Sequence, residues 1–106
     1  MLKGSEKQVK WANDILAKLN ESVDIIKEAL NRVEIPGEKH KRFYNEKVNN
    51  MINTINSYEQ AKDIIEEYRY IPNKKRDRLF SLAERFELPF ALLQEAEKVL
   101  EEKEVH

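Results

Sequence analysis

Apolar positions fall at a helical period almost from the start of the chain. Val9, Ala12, Leu16, Leu19, Val23, Ile26, Leu30 and Val33 alternate in steps of three and four, the spacing of a heptad seam along one helix face. Trp11, Ile15, Ile25 and Ala29 widen the stripe. A helix over residues 5–33 is therefore expected to be covered on more than one side and to form the spine of the domain. Ser5 and Gln8 open it as a capping box, each side chain satisfying a backbone donor of the other residue. Ile35-Pro36-Gly37 ends it.

Past that break, Tyr44, Val48, Met51, Ile52 and Ile55 recur at helical spacing, predicting a second helix over 39–55 whose start Phe43 thickens. Ser57 and Gln60 read as a second capping box, opening a third helix over 57–69 with Ala61, Ile64, Ile65 and Tyr68 inward. Ile71-Pro72 interrupts the pattern, because proline disfavours helix in the residue before it. Asn73 then stands where it could cap a fourth helix over 73–86, which carries Leu79, Phe80, Leu82, Ala83 and Phe86. Leu88-Pro89 restarts the chain as a fifth helix over 89–104, striped by Leu92, Leu93, Ala96, Val99 and Leu100. No run alternates with period two for long enough to predict a strand. Short connections force consecutive helices back on one another. The pattern therefore predicts an all-α fold, a compact bundle of about five helices in one domain spanning residues 1–106.

Composition narrows function more than fold. Apolar residues at 41% and charged residues at 37% suit amphipathic helices and are too apolar for a disordered chain. The absence of cysteine removes disulfides and thiolate nucleophiles. No run approaches a signal-peptide core or a membrane span, so a cytoplasmic protein without a membrane partner is expected. The two histidines, His40 between lysines and His106 at the last position, have no metal-ligand spacing with each other or with a carboxylate pair. His106 is expected to be frayed. Carboxylates such as Glu66-Glu67 and Glu101-Glu102 read as solvated helix surface, and no phosphate-cradling loop appears. The expectation is a protein that is not an enzyme, with no catalytic residue, no metal, no cofactor and no small-molecule substrate.

Charge is segregated although the net is only −1. Between Tyr68 and Arg78, five cations (Arg69, Lys74, Lys75, Arg76 and Arg78) and two tyrosines surround the proline-marked break. Such a stretch could neutralise phosphates and stack bases, describing a salt-sensitive nucleic-acid contact with Lys39, Lys41 and Arg42 as its candidate extension. The opposing interpretation is internal. Residues 69–85 carry six cations against two acids, residues 87–104 six acids against two lysines, and the two segments could pair across neighbouring helices. Aromatic anchors for a protein partner are Trp11, Tyr68 and Tyr70. The heptad seam offers a further interface, for a homodimer or a partner helix, unless the other four helices fill it.

The opening Leu2-Lys3-Gly4-Ser5-Glu6-Lys7-Gln8-Val9-Lys10-Trp11-Ala12-Asn13-Asp14-Ile15 resembles the start of small uncharacterised proteins of low-GC Gram-positive bacteria and their phages and mobile elements. Ala61-Lys62-Asp63-Ile64-Ile65 through Arg69 loosely resembles a later segment of the same proteins, with Asp63 and Ile64 replacing an aromatic pair. The resemblance brings no activity with it. It implies a setting in which small helical proteins bind a host or phage macromolecule, including as inhibitors of defence nucleases. The sequence thus predicts a macromolecule-binding protein, with a protein partner ranked first and nucleic acid second.

Overall fold

A 27-residue helix, α1 (Glu6–Arg32), organises the molecule, and every other helix packs on it. The structure, a computed structural model, describes residues 1–105; His106 lies outside the described residues. Four further helices follow: α2 (Glu38–Ile55), α3 (Ala61–Tyr68), α4 (Lys75–Arg85) and α5 (Phe90–Val105). The all-α expectation with one long first helix holds.

Helix α1 starts where its caps dictate. The Ser5 hydroxyl accepts from the Gln8 amide at 3.2 Å and the Gln8 side chain accepts from the Ser5 amide at 3.2 Å, so the first capping box is complete. Its seam is filled within the monomer. Ala12, Leu19, Val23 and Ile26 are buried against the other helices, while Val9, Leu16, Leu30 and Val33 are half-buried at the edge. Helix α2 contributes Val48, Met51 and Ile55 to this core, and its first turns, Glu38 to Phe43, contribute nothing buried. Helix α5 returns along the C-terminal half of α1: Ala91 and Gln94 border Arg32 and Val33, whereas Leu100 and Lys103 border Glu21 and Ile25. Helix α4 touches α1 and packs beside α5.

The second capping box does not form. The Ser57 hydroxyl donates instead to the Thr54 carbonyl at 2.8 Å, finishing α2, and α3 begins only at Ala61 with no side-chain cap. The cause is the segment ahead of α1. The Lys3 amide donates to the Glu59 carbonyl at 2.9 Å, and the Ala61 amide donates to the Lys3 carbonyl at 2.8 Å. This isolated parallel bridge between Lys3 and Gln60 holds residues 58–60 out of the helix. Backbone pairing across the chain thus outcompetes a local cap. Asn73 does not cap either. Lys74 occupies the N-cap position of α4, and the Asn73 side chain accepts from the Lys18 ammonium at 2.6 Å.

Both proline breaks separate distinct helices. Helix α4 ends on Glu87, the one described non-glycine residue with positive φ, at 54°. The Leu88 amide donates to the Ala83 carbonyl at 2.9 Å and the Glu87 amide to the Glu84 carbonyl at 3.4 Å, a Schellman closure with a carboxylate where glycine is favoured.

Two substitutions test these termini. Gly4 has φ of +149°, and a Cβ there would stand 3.2 Å from Ala61 Cβ and 3.0 Å from Gln8 Oε1. Gly4→Ala should destabilise the fold by about 1–3 kcal/mol in denaturant unfolding. Glu87→Gly should do the opposite, adding about 0.5–1 kcal/mol by relieving the left-handed residue. No loss in the first variant, or a loss in the second, would contradict the geometry described.

Candidate interaction face

The eight residues that the sequence singles out separate into three groups once packed. Arg78 and Tyr68 are structural. Arg78 is 2% exposed, and its guanidinium serves four acceptors. Nε donates to Ser22 Oγ at 2.8 Å, Nη1 to the Pro72 and Asn73 carbonyls at 3.2 and 3.1 Å, and Nη2 to Glu21 Oε1 at 3.2 Å. The planar, multiply donating head suits this role, since it pins a loop whose own carbonyls have no helical partner. A guanidinium so enclosed cannot meet a phosphate, which corrects the expectation for Arg78.

Tyr68 is likewise buried at 1% exposure, its ring edge-on to Tyr58 at 5.9 Å and covered by the Arg85 guanidinium at 4.8 Å. Arg85 is in turn held by Glu67. Burial, followed by the neighbouring Tyr58, raises the Tyr68 hydroxyl pKa above the ordinary phenol value. It is a core side chain and no anchor for a partner. Its place in the inward face of α3 was legible from the helical period, because it stands four residues after Ile64.

Two more of the expected cations are committed elsewhere. Lys75 reaches Glu21 at 3.5 Å, and Arg76 reaches Glu97 at 3.3 Å while lying over the Phe80 ring at 5.6 Å. Both heads remain substantially exposed, so these contacts are weak. The pairing of the basic 69–85 segment with the acidic 87–104 segment is thus reduced to Arg76 and Glu97 among the described residues. Between α5 and α1, Glu102 meets Arg32, and Lys103 meets Glu28 of α1 at 3.6 Å.

What remains outward is Trp11, Arg69, Tyr70 and Lys74. Tyr70 is 87% exposed and Trp11 49%. The Arg69 guanidinium lies over the Tyr70 ring at 5.7 Å, close enough to order the ring in solvent. No carboxylate lies within salt-bridge distance of Arg69 or Lys74 among the described residues. The two aromatics share one flank of the molecule. Trp11 and Lys18 are seven residues apart on α1 and so project from the same face, and Lys18 holds Asn73, three residues beyond Tyr70. Lys7, one turn before Trp11, extends the same stripe.

Sequence reasoning missed a shallow depression of about 500 Å³ at the start of α1, on a different side of the helix from Trp11, floored by Leu2 and Val9 and rimmed by Glu6, Lys10, Asn13 and Asp14. It arises because the Lys3 bridge folds the leading residues back toward α1, a contact between distant segments that no local pattern announces. Among the described residues no group of three His, Asp or Glu side chains is gathered to hold a metal ion. No helix there is long and apolar enough to cross a membrane.

No protein-family model, no curated relative and no solved structure matches this chain. The face is therefore interpreted from its own chemistry.

Arg78→Ala should cost about 3–5 kcal/mol, since it leaves the Ser22 hydroxyl and two loop carbonyls without their donor. Hydrogen exchange should show the amides of residues 69–74 losing protection ahead of those in α1. Equal loss across the whole chain, or none, would show that the guanidinium does not hold this loop.

Proposed function

We propose that the protein is a macromolecule-binding module whose partner is a protein, recognised through the flank that carries Trp11 and Tyr70. One observation carries this reading: Tyr70 at 87% and Trp11 at 49% are exposed around a well-filled core, as Phe90 and Phe43 are on α5 and α2. Large aromatics left in water by a chain able to bury twenty-three other apolar side chains are the residue types that anchor interfaces. The seam of α1 supports no alternative interface, because the monomer already fills it. The resemblance of the opening residues to proteins of phages and mobile elements supports placing this module among small regulators or inhibitors of host or phage machinery.

A second reading rests on a separate observation. Arg69 and Lys74 flank Tyr70 without a carboxylate partner among the described residues, and a cation beside an exposed ring is also suited to single-stranded nucleic acid. The loss of Arg78 from the surface, together with the engagement of Lys75 and Arg76, lowers its weight.

Comparing the wild type with Trp11→Ala/Tyr70→Ala tests the first reading. Both side chains are largely outside the core, so the double variant should keep its circular dichroism. A protein cross-linked to the wild type in extract should be lost from the variant by at least about tenfold, the effect of removing one strong anchor. Equal capture by both would overturn the reading. Retention of a mixed-sequence oligonucleotide on size-exclusion chromatography, abolished by Arg69→Glu/Lys74→Glu, would move the assignment to nucleic acid.

A further inference from the structure

The bridge that ties the leading segment to the start of α3 uses only one of that segment's two edges. The Lys3 amide donates to the Glu59 carbonyl, and the Lys3 carbonyl accepts from the Ala61 amide, so both main-chain groups of Lys3 face residues 59–61. A trans peptide sets the carbonyl of one residue opposite the amide of the next, and the described chain holds no cis bond. The Leu2 carbonyl and the Gly4 amide therefore point the other way. Neither has a hydrogen-bond partner among the described residues. They flank Lys3 as the Glu59 carbonyl and the Ala61 amide flank Gln60, and that second pair is the one that grips Lys3. The molecule thus makes this pairing once and repeats its donor and acceptor, unfilled, on the free edge. Beside that edge lies the depression of about 500 Å³. Gly4 lines it and, having no side chain, does so only with main-chain atoms, while Leu2 and Val9 supply the apolar floor. On its rim, Glu6, Lys10 and Asp14 enter no ion pair among the described residues, which leaves one more carboxylate than ammonium there.

We propose that the Leu2–Gly4 edge docks an extended segment of a partner protein, which adds as a further strand and lays alternate apolar side chains on Leu2 and Val9. Main-chain pairing with the Leu2 carbonyl and the Gly4 amide sets the register, and the depression sets the side-chain preference. The carboxylate excess of the rim favours a segment whose other face is basic and disfavours an acidic one. A partner helix does not fit, because its own amides and carbonyls are consumed within it and none is left for Leu2 and Gly4. The contact lies on a different side of α1 from Trp11, and it stands or falls independently of binding at Trp11 and Tyr70.

Gly4 and Gly37 are the only glycines, so in an amide NMR spectrum the Gly4 resonance reports the edge and Gly37 serves as the control. The probe is a capped peptide alternating valine and lysine. Its companions carry glutamate for lysine, N-methyl groups on the valines, or N-methyl groups on the lysines. The parent peptide should shift the Gly4 amide and slow its hydrogen exchange at least about tenfold while leaving Gly37 unchanged, and it should bind tighter than the glutamate form. Successive amides of an extended peptide point to opposite edges, so one methylated form should bind like the parent and the other at least about tenfold more weakly. Val9→Lys, with circular dichroism unchanged, should weaken the parent by a similar factor. An unmoved Gly4 resonance, or equal binding of the two methylated forms, would overturn the strand addition. Tighter binding of the glutamate form would overturn the basic preference. Protection of the Gly4 amide without any peptide, in a protein that light scattering finds dimeric, would assign the edge to a second copy of the chain and overturn the partner segment.

Discussion

One buried guanidinium sets much of what this molecule can show to the outside. Arg78 ties α4 to Ser22 and Glu21 on α1 and, with its remaining donors, holds the Pro72 and Asn73 carbonyls. A charge placed inside a helical domain is costly unless its donors are satisfied. Here that condition fixes three pieces of chain at once, since moving any of them would leave a donor or a carbonyl without its partner. Because the carbonyls of the turn point inward to Arg78, the residues just before it, Arg69 and Tyr70, are presented to solvent. The same side chain that removes a cation from the surface thereby helps to create the surface.

A second constraint acts at the opposite end of α3. Gly4 lets the leading segment pass close to Ala61, where a Cβ would approach at 3.2 Å, and Lys3 then pairs its backbone with residues 59–61. The stretch around Gly4 and the stretch beginning at Ala61 are thus in contact. This gives a physical sense to Gly-Ser-x-x-Gln as a unit. The glycine permits the close approach, and the serine and glutamine start α1 immediately afterwards so that Trp11 falls in its second turn.

Much of the architecture was legible because hydrophobic period is a local signal. The seam from Val9 to Val33, the inward positions of α3 and the stripe of α5 all follow from spacing, and the structure buries them or packs them at the core edge. The failures share a different cause. Ser57 and Asn73 carry the right side chains for caps, but each found a partner that local sequence could not supply: the end of α2 for Ser57, and Lys18, 55 residues away, for Asn73. Arg78 was read as surface because cations usually are, and nothing near it in sequence announces Ser22, 56 residues earlier. Trp11 was assigned both to the widened stripe and to the surface, and its half-exposure reflects both. It sits at the margin of the α1 core face, where α4 and α5 do not reach.

These observations bear on how a small domain keeps a functional face. With a long central helix to cover, four shorter helices must divide its length, and α5 packs along the C-terminal half of α1 while α3 takes the N-terminal half. Helix α3 is only eight residues long yet packs closely on α1, and Trp11 remains half-exposed at the edge of the α1 core face. Two ion pairs join α5 to the C-terminal half of α1, Glu102 with Arg32 and Lys103 with Glu28. Trp11 and Tyr70 stay exposed, as Phe43 does on α2 and Phe90 on α5, so the uncovered aromatics are spread over several elements because a long central helix and four shorter ones leave edges at more than one place.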